Sequence, residues 1–222
     1  MKLLALLITG IVKMPKGFLT CKEFMKLLIA TKNGGKAREF QVLLGDQWTV
    51  QTLVDLPDAP EVMEDGETFE ENAIKKAVAF TEGYDGVVLA DDSGLEVDAL
   101  DKKPGVYSAR YAGENPKDDV KNLQKVLKEI KDIPAERRQA RFRCVLALAR
   151  WGTVIKTVEG VCEGSIALAA QGNGGFGYDP IFVPGGYDKT FGELSLEVKN
   201  GLSHRAQAIA KVLPLLRSGQ GC

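Results

Sequence analysis

The chain has 222 residues, with 45% apolar and 27% charged side chains, an ordinary globular balance that excludes disorder and fits one domain or two small ones. Its 29 Lys and Arg against 30 Asp and Glu leave a net charge of −1, which excludes a grossly basic nucleic-acid binder. No uninterrupted apolar run reaches the roughly 18 residues of a membrane-spanning helix.

The four cysteines, Cys21, Cys144, Cys162 and Cys222, form no CxxC pair, and His204 is the single histidine, so a Cys/His zinc site has almost no ligands to draw on. Cys144 sits in an apolar, strand-like run and reads as a small core residue; a reduced, cytoplasmic protein is the expectation. At the N-terminus an apolar stretch, Leu3 to Val12, is followed by Lys13, Pro15 and Lys16. It superficially resembles a secretory signal, but it is short and lacks an A-x-A-like site. Met25 then opens a stretch that looks like a natural start. The expected organisation is an extension over 1–24 outside the fold, a domain over 25–217 and a tail over 218–222.

Leu27 to Ala30 is a β-compatible run ending in the polar loop Thr31-Lys32-Asn33-Gly34-Gly35-Lys36, and Phe40, Leu43 and Leu44 predict a helix after it. Trp48 to Val54 reads as a second strand, and 57–66 as an acidic loop. Thr68-Phe69-Glu70-Glu71 is a capping box, opening a helix with Ile74, Ala77, Val78 and Thr81 on one face. Val87 to Ala90 is a short apolar run ending in Asp91-Asp92-Ser93-Gly94, with a strand over Leu95 to Leu100 returning from that turn. Asn115-Pro116 predicts a cap and first-position proline, before a stripe of Val120, Leu123, Leu127 and Ile130. Ala140 to Leu148 reads as a long buried strand that pairs across Gly152 with Val154 to Cys162. A glycine-rich segment, 172–180, follows, and the last helix begins at Ser203, with Pro214 bending or ending it. The expected fold is α/β, a mixed central sheet flanked by helices, in two lobes around a substrate cleft.

Four constellations carry chemistry. Thr31-x-Asn33-x-x-Lys36-x-x-Glu39 is a glycine-containing loop opening a helix, with free N–H groups and a lysine, which suits a phosphate; the competing reading is an ordinary turn with a solvated lysine. It is not a P-loop, since GxxxxGK[ST] is absent. Asp91-Asp92 at a strand end suits magnesium, with Glu64 or Glu71 as a further carboxylate; the alternative is a solvated turn. In the glycine-rich segment Phe176 can stack on a flat base and Asp179 can accept from its N–H groups, unless both are structural. Lys199 with Ser203-His204-Arg205 places cations in a first helical turn, against the helix dipole, as for an anionic or polar ligand. One ligand with phosphates, a metal and a flat ring is a nucleotide.

In order, the motifs Thr31 to Lys36, Glu64-Asp65-Gly66-x-Thr68-Phe69-x-Glu71-Asn72, Ala90 to Leu95, Pro104 to Arg110, Gly174 to Pro180 and Ser203-His204-Arg205 resemble those of the inosine triphosphate pyrophosphatase family. The resemblance covers about residues 25–217. It implies an elongated two-lobed α/β homodimer that hydrolyses ITP, dITP and XTP to the monophosphate and pyrophosphate with magnesium. By position, it implies that Thr31, Lys32, Asn33, Gly34, Gly35 and Lys36 hold the triphosphate. Asp92 would be general base and metal ligand, with Glu64 as the other ligand, and Ser93 would touch the substrate. Phe176, Gly177, Tyr178, Asp179, Lys199, His204 and Arg205 would line the base and sugar side. Asn173 stands where the family often has threonine, and residues 1–24 have no counterpart. A Maf-like pyrophosphatase, a non-catalytic nucleotide sensor and a secreted protein remain as alternatives, and a nucleic-acid-binding module is the weakest.

Overall fold

The computed structural model describes residues 26–45, 48–56, 58–113 and 118–218. Its centre is a six-stranded mixed sheet in the order β2-β1-β3-β4-β5-β6. Strands β1 (Lys26–Ile29), β2 (Thr49–Thr52) and β3 (Val87–Val97) run parallel, linked by helices α1 (Gly34–Leu44) and α2 (Phe69–Ala79). Strands β4 (Gln139–Arg150), β5 (Thr153–Ile166) and β6 (Phe182–Pro184) continue the sheet antiparallel to their neighbours. Helix α3 (Asp119–Glu129) lies between β3 and β4 in sequence, and α4 (Leu196–Leu202) and α5 (His204–Ser218) close the described chain.

Side chains on a strand alternate between faces, so the long strands β3 and β4 supply several cores at once. Leu27, Ile29, Val87, Leu89, Cys144, Leu146 and Leu148 face α1 and α5, where they bury Phe40, Leu44, Ile209 and Val212. Leu28, Ala30, Val88, Ala90, Val145 and Ala147 face α2 and bury Phe69, Ala73 and Ala77. A third core begins where β3 and β4 run into the second lobe: Leu95, Val97, Ala140 and Phe142 pack with Leu123, Val126 and Ile130 of α3 and with Phe182 and Phe191. The polar residues of β3, Asp91 to Gly94, therefore fall at the junction of the lobes.

Several expectations change in detail. Residues 91–94 are not a turn: β3 is continuous from Val87 to Val97, because Asp91, Asp92, Ser93 and Gly94 pair with Leu146, Val145, Cys144 and Arg143 of β4. The strand expected over 48–54 stops at Thr52, where Leu53–Asp55 forms a 3₁₀ turn closed by a Thr52–Asp55 capping box. Helix α2 keeps its predicted Thr68–Glu71 capping box but turns Asn72, Ala73, Lys76 and Ala77 inward, leaving Ile74 and Val78 partly buried and Thr81 beyond the helix end. Helix α3 buries Leu123, Val126 and Ile130, with Val120 58% exposed, and its cap is Asp118; the Asn115-Pro116 cap falls outside the described residues. Pro214 lies within α5 at an exposed position, and the helix continues to Ser218. Residues 1–24 and 219–222 lie outside the described residues. No helix among those described is long and apolar enough to cross a membrane.

Gly94 marks the closest approach between β3 and the 3₁₀ turn Gly105–Arg110: a Cβ there would collide with Ser108 Oγ and come within 2.5 Å of the Gly105 carbonyl. Gly94→Ala should destabilise the protein by about 1–3 kcal/mol, as overpacked sites do, read as a lower urea midpoint at unchanged m.

Candidate active site

Because Asp91 and Asp92 are consecutive on a strand, they point to opposite faces of the sheet. The sequence pairs them as neighbours; the structure gives them different partners.

Asp91 faces α1 and α5. Its carboxylate accepts from Lys36 Nζ, from Arg205 Nε at 3.0 Å, from Ser93 Oγ at 2.9 Å and from the Cys144 thiol at 3.2 Å. Arg205 also donates to Glu39 of α1 and, at 2.9 Å, to Ser93 Oγ. Glu39 holds Lys199 of α4 at 2.6 Å, and Lys199 reaches Asp179 at 2.5 Å. The result is an alternating chain, Lys36–Asp91–Arg205–Glu39–Lys199–Asp179, running from the loop at the start of α1 to the glycine-rich segment. All but Lys36 are buried. Burial would raise the Asp91 carboxyl, but Lys36, Arg205 and Lys76 outweigh it and hold it well below the carboxylate range. Glu39 is likewise lowered: Arg205 and Lys199 overcome its burial. For Asp179 burial wins over Lys199, and its carboxyl is raised.

Asp92 faces α2. Its Oδ1 is 3.7 Å from Lys76 Nζ, and its buried Oδ2 has no hydrogen-bond partner. Burial raises its pKa against the pull of Lys76 and Lys36, with Glu64 and Asp91 adding repulsion. Lys76 donates to the Glu64 carboxylate at 2.9 Å and to the main-chain carbonyl of Asp91 at 2.5 Å, so one buried ammonium lies between the Glu64 and Asp92 carboxylates. Burial would lower its pKa, but Asp92, Glu64 and Asp91 raise it, so it stays charged. Glu71, the other carboxylate considered, is occupied in the capping box of α2.

The polar loop Thr31 to Lys36 opens into α1 as expected, and its side chains take up two of the N–H groups there. Asn33 caps the helix, its Oδ1 accepting from the Lys36 N–H at 3.0 Å, and Thr31 Oγ1 accepts from the Asn33 N–H at 3.1 Å. Lys32 Nζ reaches the Ala59 carbonyl at 3.3 Å, across to the acidic loop. Gly34 and Gly35 form the first turn, and Phe176 lies directly on Gly35, where a Cβ would be 2.7 Å from the ring. Lys199 Nζ is 5.0 Å, and the Arg205 guanidinium carbon 5.5 Å, from the Phe176 ring centroid. The candidate phosphate and base elements are thus in contact through Phe176.

Other residues singled out from the sequence are placed for support. Asp179 accepts from the Phe176 N–H at 2.8 Å and fixes the loop. Gly177 donates to Asp119 of α3 at 3.1 Å. The Tyr178 side chain turns into the second lobe, its hydroxyl donating to the Ser108 carbonyl at 2.7 Å. His204 stacks on Phe142 with ring centroids 4.7 Å apart, and Nδ1 has no partner. Burial, with Arg205 beside it, pushes its pKa well down, so it is neutral. The anticipated conflict with the dipole of α5 is thereby removed: His204 carries no charge, and that of Arg205 is matched by Asp91 and Glu39. Sequence reasoning missed Lys76, whose signal was a lysine inside the Ala73–Ala77 face of α2, and the ionic roles of Asp91 and Glu39.

The fold thus brings together, at the junction of its two lobes, a capped glycine loop at the start of α1, the Phe176 ring and a lysine-bridged pair of carboxylates. The chain belongs to the Ham1 family, whose model matches residues 27–215. It is 52% identical over 184 residues to the dITP/XTP pyrophosphatase of Shouchella clausii, covering 83% of this chain and 92% of that protein. To the dITP/XTP pyrophosphatase of Bacillus subtilis it is 50% identical over 192 residues, covering 86% and 96%. Among solved structures it resembles the Staphylococcus aureus Ham1 protein, with a TM-score of 0.76 and 41% identity over 87% of this chain and 98% of that one. A HAM1 protein from Coxiella burnetii gives 0.77 and 38% over 87% and 99%.

The two aspartates should answer the same substitution in opposite ways. Asp91→Asn leaves Lys36 without its carboxylate and Arg205 with Glu39 alone, and should cost about 3–5 kcal/mol at pH 7. A carboxyl whose folded pKa is lowered contributes stability above its unfolded pKa of about 4 and loses it as pH falls through the folded value, so this deficit should shrink in acid. Asp92 has a raised pKa and costs stability at neutral pH, so Asp92→Asn should not lower the thermal midpoint. Thermal melts of both variants from pH 3 to 8 check the pair.

Proposed function

We propose that this chain hydrolyses the non-canonical purine nucleoside triphosphates ITP, dITP and XTP to the monophosphate and pyrophosphate, removing them from the nucleotide pool. The observation that carries the reading is Asp92: a buried carboxylate with a raised pKa and an unpartnered oxygen, at the junction of the lobes, sharing Lys76 with Glu64. The printed names of the relatives, dITP/XTP pyrophosphatases at about half identity over most of the chain, support the same chemistry.

Magnesium fits this donor set. It takes one or two carboxylates and completes its shell with water and phosphate oxygens. The free Oδ2 of Asp92 and the Glu64 carboxylate, 33% exposed, are the residues that would hold it. There it would neutralise phosphate charge and acidify a water.

The protein's own groups perform the rest. Asp92 orients a water and accepts its proton as the water oxygen bonds to phosphorus. The phosphoanhydride between the α- and β-phosphates breaks, and pyrophosphate carries off the bonding pair. The N–H groups at the start of α1 and the Lys36 ammonium bind the triphosphate oxygens. Phe176 offers one face to the purine. Lys199 and Arg205 sit close to the ring and strengthen stacking on it without contributing free charge. Ser93 lies on β3 with its hydroxyl held between Asp91 and Arg205, beside the substrate. Discrimination rests on the purine 6-position, where a keto oxygen accepts and the amino group of adenine donates, with Arg205 kept on Asp91, Glu39 and Ser93.

The catalytic unit is residues 25–217, acting as a homodimer in the cytoplasm. The exposed Tyr107 borders a groove of about 650 Å³ whose lining mixes Val106 and Val158 with the charged Glu67, Glu96, Lys103 and Arg143, the surface we assign to self-association, and the disulfide-free buried thiols of Cys144 and Cys162 suit a reducing compartment.

Pyrophosphate release measured side by side on ITP, XTP, ATP, GTP and dTTP with magnesium tests the reading. Strong release from ITP and XTP with little from ATP or GTP is expected. Activity confined to dTTP or GTP would assign a Maf-like activity instead, and no release would leave a nucleotide sensor. Asp92→Asn should lower kcat by at least ~100-fold, as loss of a general base does; unchanged turnover would remove Asp92 from the mechanism.

A further inference from the structure

The acidic loop before α2 carries Glu64 to the cleft without a strand or helix of its own. Its backbone is pinned from two directions. On the C-terminal side, the Gly66 N–H donates to Asn72 Oδ1 at 2.8 Å and the Glu67 N–H to Glu71 at 2.8 Å, both acceptors on α2. At Glu64 itself, the main-chain carbonyl accepts from Arg110 Nη2 at 2.9 Å.

Arg110 ends the 3₁₀ turn Gly105–Arg110, and that turn is held from three sides. The Ser108 hydroxyl accepts from the Leu95 N–H of β3 at 2.9 Å and donates to the Gly105 carbonyl at 2.6 Å. Tyr178, from the glycine-rich segment, donates to the Ser108 carbonyl, and Asn122 of α3 donates to the Ala109 carbonyl at 3.3 Å. The guanidinium carbon of Arg110 also lies 5.2 Å from the centroid of the Tyr107 ring. Arg110 therefore links a fixed point beside β3, the strand that bears Asp92, to the backbone of the residue that bears the second carboxylate.

We propose that Arg110 is a positioning residue for metal binding: by holding the Glu64 carbonyl it sets the distance between the Glu64 and Asp92 carboxylates. This rests on the reading of Glu64 and Asp92 as the magnesium pair. Outer partners of metal ligands, when removed, typically weaken metal affinity by about 10–100-fold, and a planar guanidinium fixed by its own surroundings suits that task.

The test is Mn²⁺ binding to the full chain with inorganic pyrophosphate present, followed by electron paramagnetic resonance, in wild type, Arg110→Met, Arg110→Lys and Glu64→Gln. Arg110→Met keeps the apolar stem and removes the donors. It should weaken Mn²⁺ binding about 10-fold or more, with Arg110→Lys intermediate. The magnesium concentration for half-maximal ITP hydrolysis should rise in step, while KM for ITP at saturating magnesium stays put. A merely structural role would not separate those two. Wild-type Mn²⁺ affinity in Arg110→Met, with Glu64→Gln impaired, would overturn the role of Arg110. Wild-type affinity in Glu64→Gln would overturn the metal reading beneath it. If Arg110→Met does not fold, Arg110→Lys decides: several-fold weaker binding supports the role, and wild-type affinity overturns it.

Discussion

Six ionised groups in a row, Lys36, Asp91, Arg205, Glu39, Lys199 and Asp179, determine what the rest of this molecule can do. Removing an ion from water costs several kcal/mol, so five buried charges on one sheet face persist only because each finds an opposite neighbour. Three positive and three negative groups alternate, and the sum is zero. Such a chain is weak as a source of stability and strong as a source of position. It ties β3 to α1, α4, α5 and the glycine-rich segment, and it locks side chains that in water would sample many rotamers. The N–H groups that open α1 and the ring of Phe176 are thereby held in register before any ligand arrives, which is the preorganisation that electrostatic catalysis requires.

Asp92 is the counterpart. It shares the strand and the burial but not the compensation: one lysine serves both it and Glu64, and one of its oxygens is left without a partner. The same backbone thus carries a satisfied aspartate on one face and an under-satisfied one on the other. The first costs little to keep ionised. The second is a basic carboxylate poised for a proton or a cation, maintained at the expense of stability, as functional groups commonly are.

The sequence made the apolar architecture readable because burial leaves a periodic trace. The β4–β5 hairpin, the helices α1 and α2 and the alternation of helices and strands follow from it, and the capped start of α2 from its Thr68–Glu71 signature. It misled at 91–94, where Asp-Asp-Ser-Gly carries turn propensity and only the ladder to β4 makes it strand. The ionic partners were not legible for a simpler reason: Lys36 and Arg205 lie 55 and 114 residues from Asp91, and no local pattern encodes a contact at that range. Lys76 was hidden because a lysine on a helix reads as solvated unless its face is known. Tyr178 was chosen by its motif, yet its side chain belongs to the second lobe's core; a motif marks a segment, not the direction of each side chain.

The central claim is that the chain of charges is complete in itself and receives the nucleotide without giving up its pairings. A crystal structure with magnesium and an ITP analogue that resists hydrolysis tests this most directly. The account predicts the purine on Phe176, the phosphates at Thr31 to Lys36, the metal on Asp92 and Glu64, and Arg205 and Lys199 still held by Asp91, Glu39 and Asp179. A complex in which Arg205 or Lys199 leaves those carboxylates to grip the nucleotide, or in which the nucleotide lies away from Asp92, would contradict it.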